Sequence, residues 1–396
     1  MGFVRRSALT ALLLSALTVL TSAALGPAAI ARADSIRDNQ WHLTSLNVSE
    51  AHQRSKGEGV TVAIVDVGVD ATHVDLAANV LPPVAVNGDT GNIRVDPDGH
   101  GTALAGLIAG QGHGANRENG VLGVAPAARI LPVVIRGDAG PNPAGRTVTA
   151  DLLAAGLELA AKRGATVIVV GYSVAGSPRL EQAVAAARRA DAVVVAADGN
   201  RQGESVEGFP AGYDGVLAAV PLGRDGSVTV NSPSGRRLGI GVPGVEIMTT
   251  NTGGGYRVDA GSASAGILAA AVALVRSAYP RLRADEIVHR LASTAIDGGP
   301  SGPDAEHGRG RLDLVAAVTR TVAPLSPPTA SPAASASVSA SPSAGAASRP
   351  PRQRGAFGWL LALPLMAVLG VLAGRAWRAE REPGSAVQNQ KAAKGS

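Results

Sequence analysis

The sequence predicts an α/β domain built on a parallel sheet with both faces covered, and three observations carry that expectation. Near-continuous apolar runs rich in β-branched residues, bounded by turn residues, recur at 60–65, 130–135, 167–170, 192–197 and 216–220, as strands buried on both faces require. Helical patterns fall between them, notably at 150–162 and 180–189, and strand–helix alternation implies parallel crossovers. Cysteine is absent from the 396 residues, of which 45% are hydrophobic and 17% charged. A large apolar core must therefore hold the fold without disulfides or thiolate metal sites.

Residues 1–33 read as a secretory signal peptide. Arg5 and Arg6 supply the positive start, an apolar run follows, and Ala31-Arg32-Ala33 offers a small-residue cleavage site before Asp34. The folded domain is expected over 34–320, with 34–59 as an N-terminal extension. A Pro/Ser/Ala-rich linker follows at 321–355, and its stretch APLSPPTASPAASASVSASPSAGAAS carries no charge and no aromatic residue. Such a composition cannot bury a core and reads as an extended tether, reaching up to roughly 80 Å at about 3 Å per residue. Residues 356–374 are uncharged and would rise about 28 Å as a helix, enough to cross a bilayer. Pro364 is tolerable in such a span. Arg375, Arg378 and Arg381 follow at once, so 375–396 is expected to be a cytoplasmic tail. The whole reads as a single-pass type I protein of the cell membrane with its domain outside the cytoplasm.

The net charge of +5 is modest and aromatic residues are only 3%. Nucleic-acid binding through basic patches with stacking aromatics is therefore not expected.

Four polar groups stand at strand ends or helix starts, where active residues of a parallel sheet gather. The first strand runs into Asp66 in DVGVD. His100 lies between Gly99 and Gly101 in DPDGHGTALAGLIAG, at a helix start whose positive end favours the neutral base. Asn200 follows a strand in VVVAADGN, where its amide can donate to a developing oxyanion. Ser262 opens a small-residue helix in DAGSASAGILAAAVALVR, so backbone N–H groups also point toward an oxyanion. Taken singly, each group also fits a structural turn or cap.

The order Asp, His, oxyanion Asn, Ser is that of the subtilisin triad, and the chain resembles the subtilase (peptidase S8) family over roughly 35–320. Asp66-Val67-Gly68, His100-Gly101-Thr102, Ala197-Asp198-Gly199-Asn200 and the Ser262 region carry the resemblance. GYSVAG at 171–176 looks like the family's substrate-lining strand and VPG at 242–244 like its Ala-Pro-Gly turn. The resemblance implies the subtilisin-like three-layer fold around a central, mostly parallel sheet, joined here to one C-terminal transmembrane helix. The segment DSIRDNQWHLTSLNVSEAHQRSKGEGV, the linker and the terminal span are similar to mycosins. That branch implies a membrane-anchored serine protease associated with type VII secretion in actinobacteria. The partners it implies are a protein or peptide substrate and the secretion membrane components. Mycosins commonly carry cysteine pairs, which this chain lacks.

The family pattern Gly-Thr-Ser-x-Ala-x-Pro fits the opening of the small-residue helix in two registers. Without a gap, Ser262 takes the nucleophile's place, with Ala260 for Gly and Gly261 for Thr. Matching Gly261-Ser262 to Gly-Thr instead places Ala263 there and shifts a packed helix by one residue, turning its side chains by about 100°. The ungapped register is preferred, and Ser264 reads as a packing residue. Val67 removes a hydroxyl beside Asp66, and Ala260 would clash if its turn needs positive φ.

The resemblance implies that His100 deprotonates Ser262, Asp66 steadies the imidazolium, and Asn200 with the Ser262 N–H holds the oxyanion. His113, His73, His42, His52, His289 and His307 have no comparable setting in the sequence. Asp70, Asp75 and His73 read as a surface turn rather than a metal site, and no metal or cofactor is expected. Two function classes remain: a serine endopeptidase, or a catalytically degenerate relative kept as a scaffold of the secretion complex.

Overall fold

In a computed structural model, the structure describes residues 35–86, 92–136, 148–197, 208–229, 239–304 and 307–325. The expected signal peptide, Asn200, most of the expected linker, the 356–374 run and the expected tail lie outside these. No helix among the described residues is long and apolar enough to cross a membrane.

The strands are β1 (Thr61–Asp66), β2 (Val84–Ala85), β3 (Gln111–His113), β4 (Asn119–Leu122), β5 (Arg129–Val134), β6 (Val167–Val170), β7 (Val193–Ala197), β8 (Val216–Leu222), β9 (Gly239–Pro243), β10 (Ile247–Thr250) and β11 (Tyr256–Asp259). Seven form one sheet in the order β2-β5-β1-β6-β7-β8-β9, and every pairing in it is parallel. β3–β4 and β10–β11 are separate antiparallel pairs. The helices are α1 (Ser35–Asp38), α2 (Trp41–Ser45), α3 (Val48–Ala51), α4 (His100–Ala109), α5 (Ala150–Lys162), α6 (Pro178–Arg189), α7 (Ser262–Ala278), α8 (Ala284–Thr294) and α9 (Leu314–Thr319).

Alternation along β1 explains the three layers. Val62 and Ile64 join one apolar cluster with α4 and α7, whereas Ala63 and Val65 join another with α5 and α6. α7 is apolar around its whole circumference, and every residue from Ala263 to Arg276 is buried, as such a helix must be. α5 and α6 start where a hydroxyl satisfies an orphan N–H. Thr149 accepts from the Leu152 N–H and Ser177 from that of Leu180, and Pro178 fits the first turn of α6.

The extension packs on the β3–β4 ribbon and on the turn that follows β9. Arg37 donates from Nε to the Gly120 carbonyl at 3.0 Å, and Gln40 exchanges two hydrogen bonds with the Leu122 backbone. Trp41 Nε1 donates to the carbonyls of Val245 and Glu246. These contacts bury His42 completely, with neither ring nitrogen hydrogen-bonded. Burial disfavours its charged form and pushes its pKa down to about 3.

This buried imidazole makes the fold acid-sensitive. Once unfolded, His42 binds a proton near its ordinary value of 6.5, while the folded protein takes none up until about 3. Stability is therefore lost as pH falls from 6.5 toward 3, by up to about 1.4 kcal/mol per pH unit from this group. Thermal unfolding at pH 7 and pH 4.5 should show a smaller acid-induced drop in Tm for His42→Leu than for the parent; equal drops would mean that His42 is hydrated.

Candidate active site

β1 ends on Asp66, α4 begins on His100, and their side chains meet: His100 Nδ1 donates to Asp66 Oδ2 at 2.7 Å. The aspartate is 1% exposed and the histidine 19%. The other carboxylate oxygen, Oδ1, accepts the Val67 N–H at 2.7 Å and the Tyr172 hydroxyl at 3.3 Å. The hydroxyl that Val67 removes from the motif is thus replaced by its own backbone donor and by a tyrosine from beyond β6. Tyr172 also packs on the imidazole, with ring centroids 4.9 Å apart. Burial first, then the charge of Asp66, raises the Tyr172 pKa and keeps it a donor.

Two further features fix the histidine. A Cβ on Gly171 would lie 2.4 Å from His100 Cε1, so only glycine lets the ring sit against the end of β6. Behind it, buried Asp96 accepts from the Thr102 N–H (2.8 Å), the Thr102 hydroxyl (2.6 Å) and the Gly99 N–H (3.0 Å). Burial, opposed by the Thr102 bonds and reinforced by the charges of Asp66 and Asp98, pushes Asp96 up to about 6.

His100 corrects the expectation of a neutral base. Burial works against the imidazolium, but the charge and hydrogen bond of Asp66, with the charges of Asp259 and Asp98, outweigh it and push the pKa up to about 9. Full carboxylates at short range override the partial charge of a helix end.

Ser262 is the first residue of α7. Its hydroxyl donates to Asp259 Oδ2 at 3.1 Å, and among the described residues no hydrogen bond joins it to His100. The charge of Asp259 acts on His100, so this carboxylate lies within electrostatic reach of both groups. The Ser262 N–H, expected to face an oxyanion, instead donates to the Ala260 carbonyl at 2.9 Å. That bond closes a γ-turn at Gly261, with φ 70° and ψ −81°, the strained form. Positive φ therefore falls on Gly261, where it suits the residue, and Ala260 escapes the expected clash. Gly261 N–H donates to the Gly244 carbonyl at 2.8 Å, which ties the turn to the VPG segment. Ser264 is fully buried, its hydroxyl on the Gly261 carbonyl at 2.6 Å. Asn200 lies outside the described residues, so the structure brings Asp66 and His100 together and places Ser262 beside Asp259.

The expectation that other histidines lack a comparable setting fails at His113, whose Nδ1 meets Asp75 Oδ1 at 2.7 Å. Nor do Asp75 and His73 form a surface turn, since each is 1% exposed. Asp75 Oδ2 accepts the Val121 N–H at 2.8 Å and His73 Nε2 reaches the Gly255 carbonyl at 3.0 Å. Asp70 is spent on Thr72 and on the Gly253 N–H. Among the described residues no group of three or more His, Asp or Glu side chains could hold a metal. Sequence reasoning missed Tyr172, Asp96 and Asp259. All three lie in motifs it quoted, but only the fold shows where they point.

Residues 57–310 match the model of the subtilase family. Subtilisin DY of Bacillus licheniformis is 33% identical over 270 residues, covering 67% of this chain and 93% of that one. Mycosin-3 of Mycobacterium tuberculosis is 33% identical over 339 residues, covering 70% and 71%. Among solved structures, the MycP3 protease from the type VII (ESX-3) secretion system superposes with a TM-score of 0.61 at 29% identity, covering 71% of this chain and 88% of that one. MycP1 from Mycobacterium smegmatis superposes with a TM-score of 0.63 at 26% identity, covering 75% and 88%.

His100 should titrate near 9 when followed by NMR of its ring protons. Asp66→Asn removes the largest favourable charge and should lower that midpoint by more than one pH unit, toward the value that burial alone would set. Gly171→Ala should displace the ring and lower it as well; an unmoved midpoint in both variants would mean that Asp66 does not hold the imidazolium.

Proposed function

The chain belongs to the subtilase family of serine peptidases, on its mycosin branch, and from that premise we propose that it is a membrane-anchored, extracytoplasmic serine endopeptidase working beside a type VII secretion complex. The observation that carries the reading is the 2.7 Å contact between His100 and Asp66 at the carboxyl end of the sheet, together with a serine at the start of the buried helix whose partner, Asp259, acts electrostatically on His100.

In the proposed cycle, neutral His100 takes the proton from Ser262 Oγ as that oxygen attacks a peptide carbonyl. Asp66 holds the resulting imidazolium, and the Asn200 amide with the Ser262 N–H faces the oxyanion. The proton passes to the leaving amine, the C–N bond breaks, and an acyl-serine remains. Water, deprotonated by His100, then releases the acid and restores the serine. The signal peptide at 1–33 and the apolar run at 356–374 support a type I orientation. The secretion components enter as partners through the mycosin relationship.

One observation favours a second reading, a scaffold in which catalysis has lapsed. Both the hydroxyl and the N–H of Ser262 are committed to neighbours in its own turn.

Fluorophosphonate labelling of the full-length chain separates the two. Ser262 attacks phosphorus, fluoride leaves, and His100 takes the proton. Label should vanish in Ser262→Ala and His100→Ala and persist in Ser264→Ala. Because the base form of His100 accumulates only as pH rises through about 9, the labelling rate should climb from pH 7 and reach half its plateau near that value. A folded chain that never labels, at any pH up to 10 and with or without the Asp259 carboxylate, sinks the peptidase reading in favour of the scaffold.

A further inference from the structure

Asp259 has no part in the triad chemistry, yet it occupies the position from which that chemistry could be stopped. It is the last residue of β11 and pairs with Ile247 of β10, so its backbone is fixed by the ribbon. It is buried, at 8% exposure. Its Oδ2 accepts the Ser262 hydroxyl at 3.1 Å, and its Oδ1 lies 3.9 Å from Arg257 Nη2. Arg257 in turn donates from Nη1 to the Asp98 carbonyl at 3.2 Å. The carboxylate is thus held from both sides and aimed at the serine.

Next to it, the Gly261 γ-turn takes up the Ser262 N–H on the Ala260 carbonyl. A hydroxyl bound to a carboxylate is not bound to the base, and an N–H bound to the backbone is not available to an oxyanion. Both halves of Ser262 are withdrawn together, by neighbours at positions 259 and 260. A charge-assisted hydrogen bond of this kind is stronger than one to a neutral acceptor.

We propose that Asp259 is a positioning residue that latches Ser262 in a resting state, holding its hydroxyl off His100 until a substrate or partner rearranges the 259–262 turn. The proposal rests on the peptidase reading for its consequence in catalysis, while the latch itself is a contact that can be tested without activity. Opening it needs no movement of α7. Rotation about the Ser262 side chain and relaxation of Gly261 from φ 70° release the hydroxyl and the N–H, and leaving a strained turn favours the second step.

The groups facing His100 are Asp66 from β1, Asp98 from the turn before α4, Asp259 from β11 and the Tyr172 hydroxyl from beyond β6. Removing Asp259 therefore frees the serine and also takes one negative charge away from the imidazolium. A midpoint lowered by about one pH unit gives roughly ten-fold more neutral base at pH 7.

The test is fluorophosphonate labelling of the full-length parent, Asp259→Ala and Asp259→Asn between pH 6 and 10, with thermal unfolding of the same proteins and of Ser262→Ala and the double variant. Asp259→Ala should label at least ten-fold faster than the parent at pH 7, with its midpoint moved to lower pH, and should stay faster at pH 10, where the base is neutral in both. Asp259→Asn keeps an oxygen that can hold the hydroxyl but loses the charge. It should show the shifted midpoint with a smaller gain at pH 10. Asp259→Ala labelling no faster than the parent at pH 10, where the base is neutral in both, in a protein where Ser262→Ala abolishes label, overturns the latch and leaves the peptidase reading intact. If nothing labels, the peptidase reading fails and the unfolding cycle decides: Tm losses of Ser262→Ala and Asp259→Ala that do not add establish the contact, and losses that add overturn it.

Discussion

The contact between the Asp66 carboxylate and the His100 imidazole constrains everything else in the site. A carboxylate that is 1% exposed is tolerable only when its charge and lone pairs are answered, and removing one partner of such a pair typically destabilises by about 3–5 kcal/mol. Here three groups answer them, and a further pair of bonds steadies the histidine's helix. His100 and the Val67 N–H supply short bonds, Tyr172 a longer one, and the Asp96–Thr102 bonds fix the helix that carries the histidine. The sheet order matters for the same reason. β1 lies between β5 and β6, so the residues after β6 pass directly over the imidazole.

Much of this was legible in the chain because burial on both faces leaves a plain mark. Four apolar residues at Val167–Val170 became a strand with the bounds the pattern gave, and α5 likewise kept 150–162. β9 was not legible as a strand. Its sequence, Gly-Ile-Gly-Val-Pro, has weak strand propensity and becomes one because β8 supplies a parallel edge. Polar function was legible as residue type but not as direction. Asp66, His100 and Ser262 could be named from their motifs, whereas the Asp259–Ser262 bond depends on a γ-turn that no local pattern announces. The charge state of His100 was misread because a helix end is visible in sequence while carboxylates from β1, β11 and the Asp98 turn converge only in space.

A second pair shows how little of the chemistry lies in the contact itself. His113 and Asp75 meet at the same 2.7 Å as His100 and Asp66. As with Asp66, the other oxygen of Asp75 takes a backbone N–H, here that of Val121, but this pair sits against the β3–β4 ribbon rather than at the carboxyl end of the central sheet. The same two groups therefore serve as a loop fastening in one place and as a candidate base in the other, and the surroundings alone make the difference.

The rigidity of α7 decides where any freedom in the site can lie. From Ala263 onward the helix is buried on every side for fourteen consecutive residues, and a close-packed interior does not absorb a shift of one element past another without loss of fit. Ser262 cannot be adjusted by moving the helix that carries it. What remains is the turn before it, where Gly261 is tied by its N–H to the Gly244 carbonyl but retains a backbone open to both signs of φ. In the family pattern this position carries threonine, whose branched side chain restricts the backbone. Glycine here exchanges a fixed serine for a movable one. With a carboxylate three residues earlier to receive the hydroxyl, the departures that look like decay of a motif are also the parts that a reversible resting state requires.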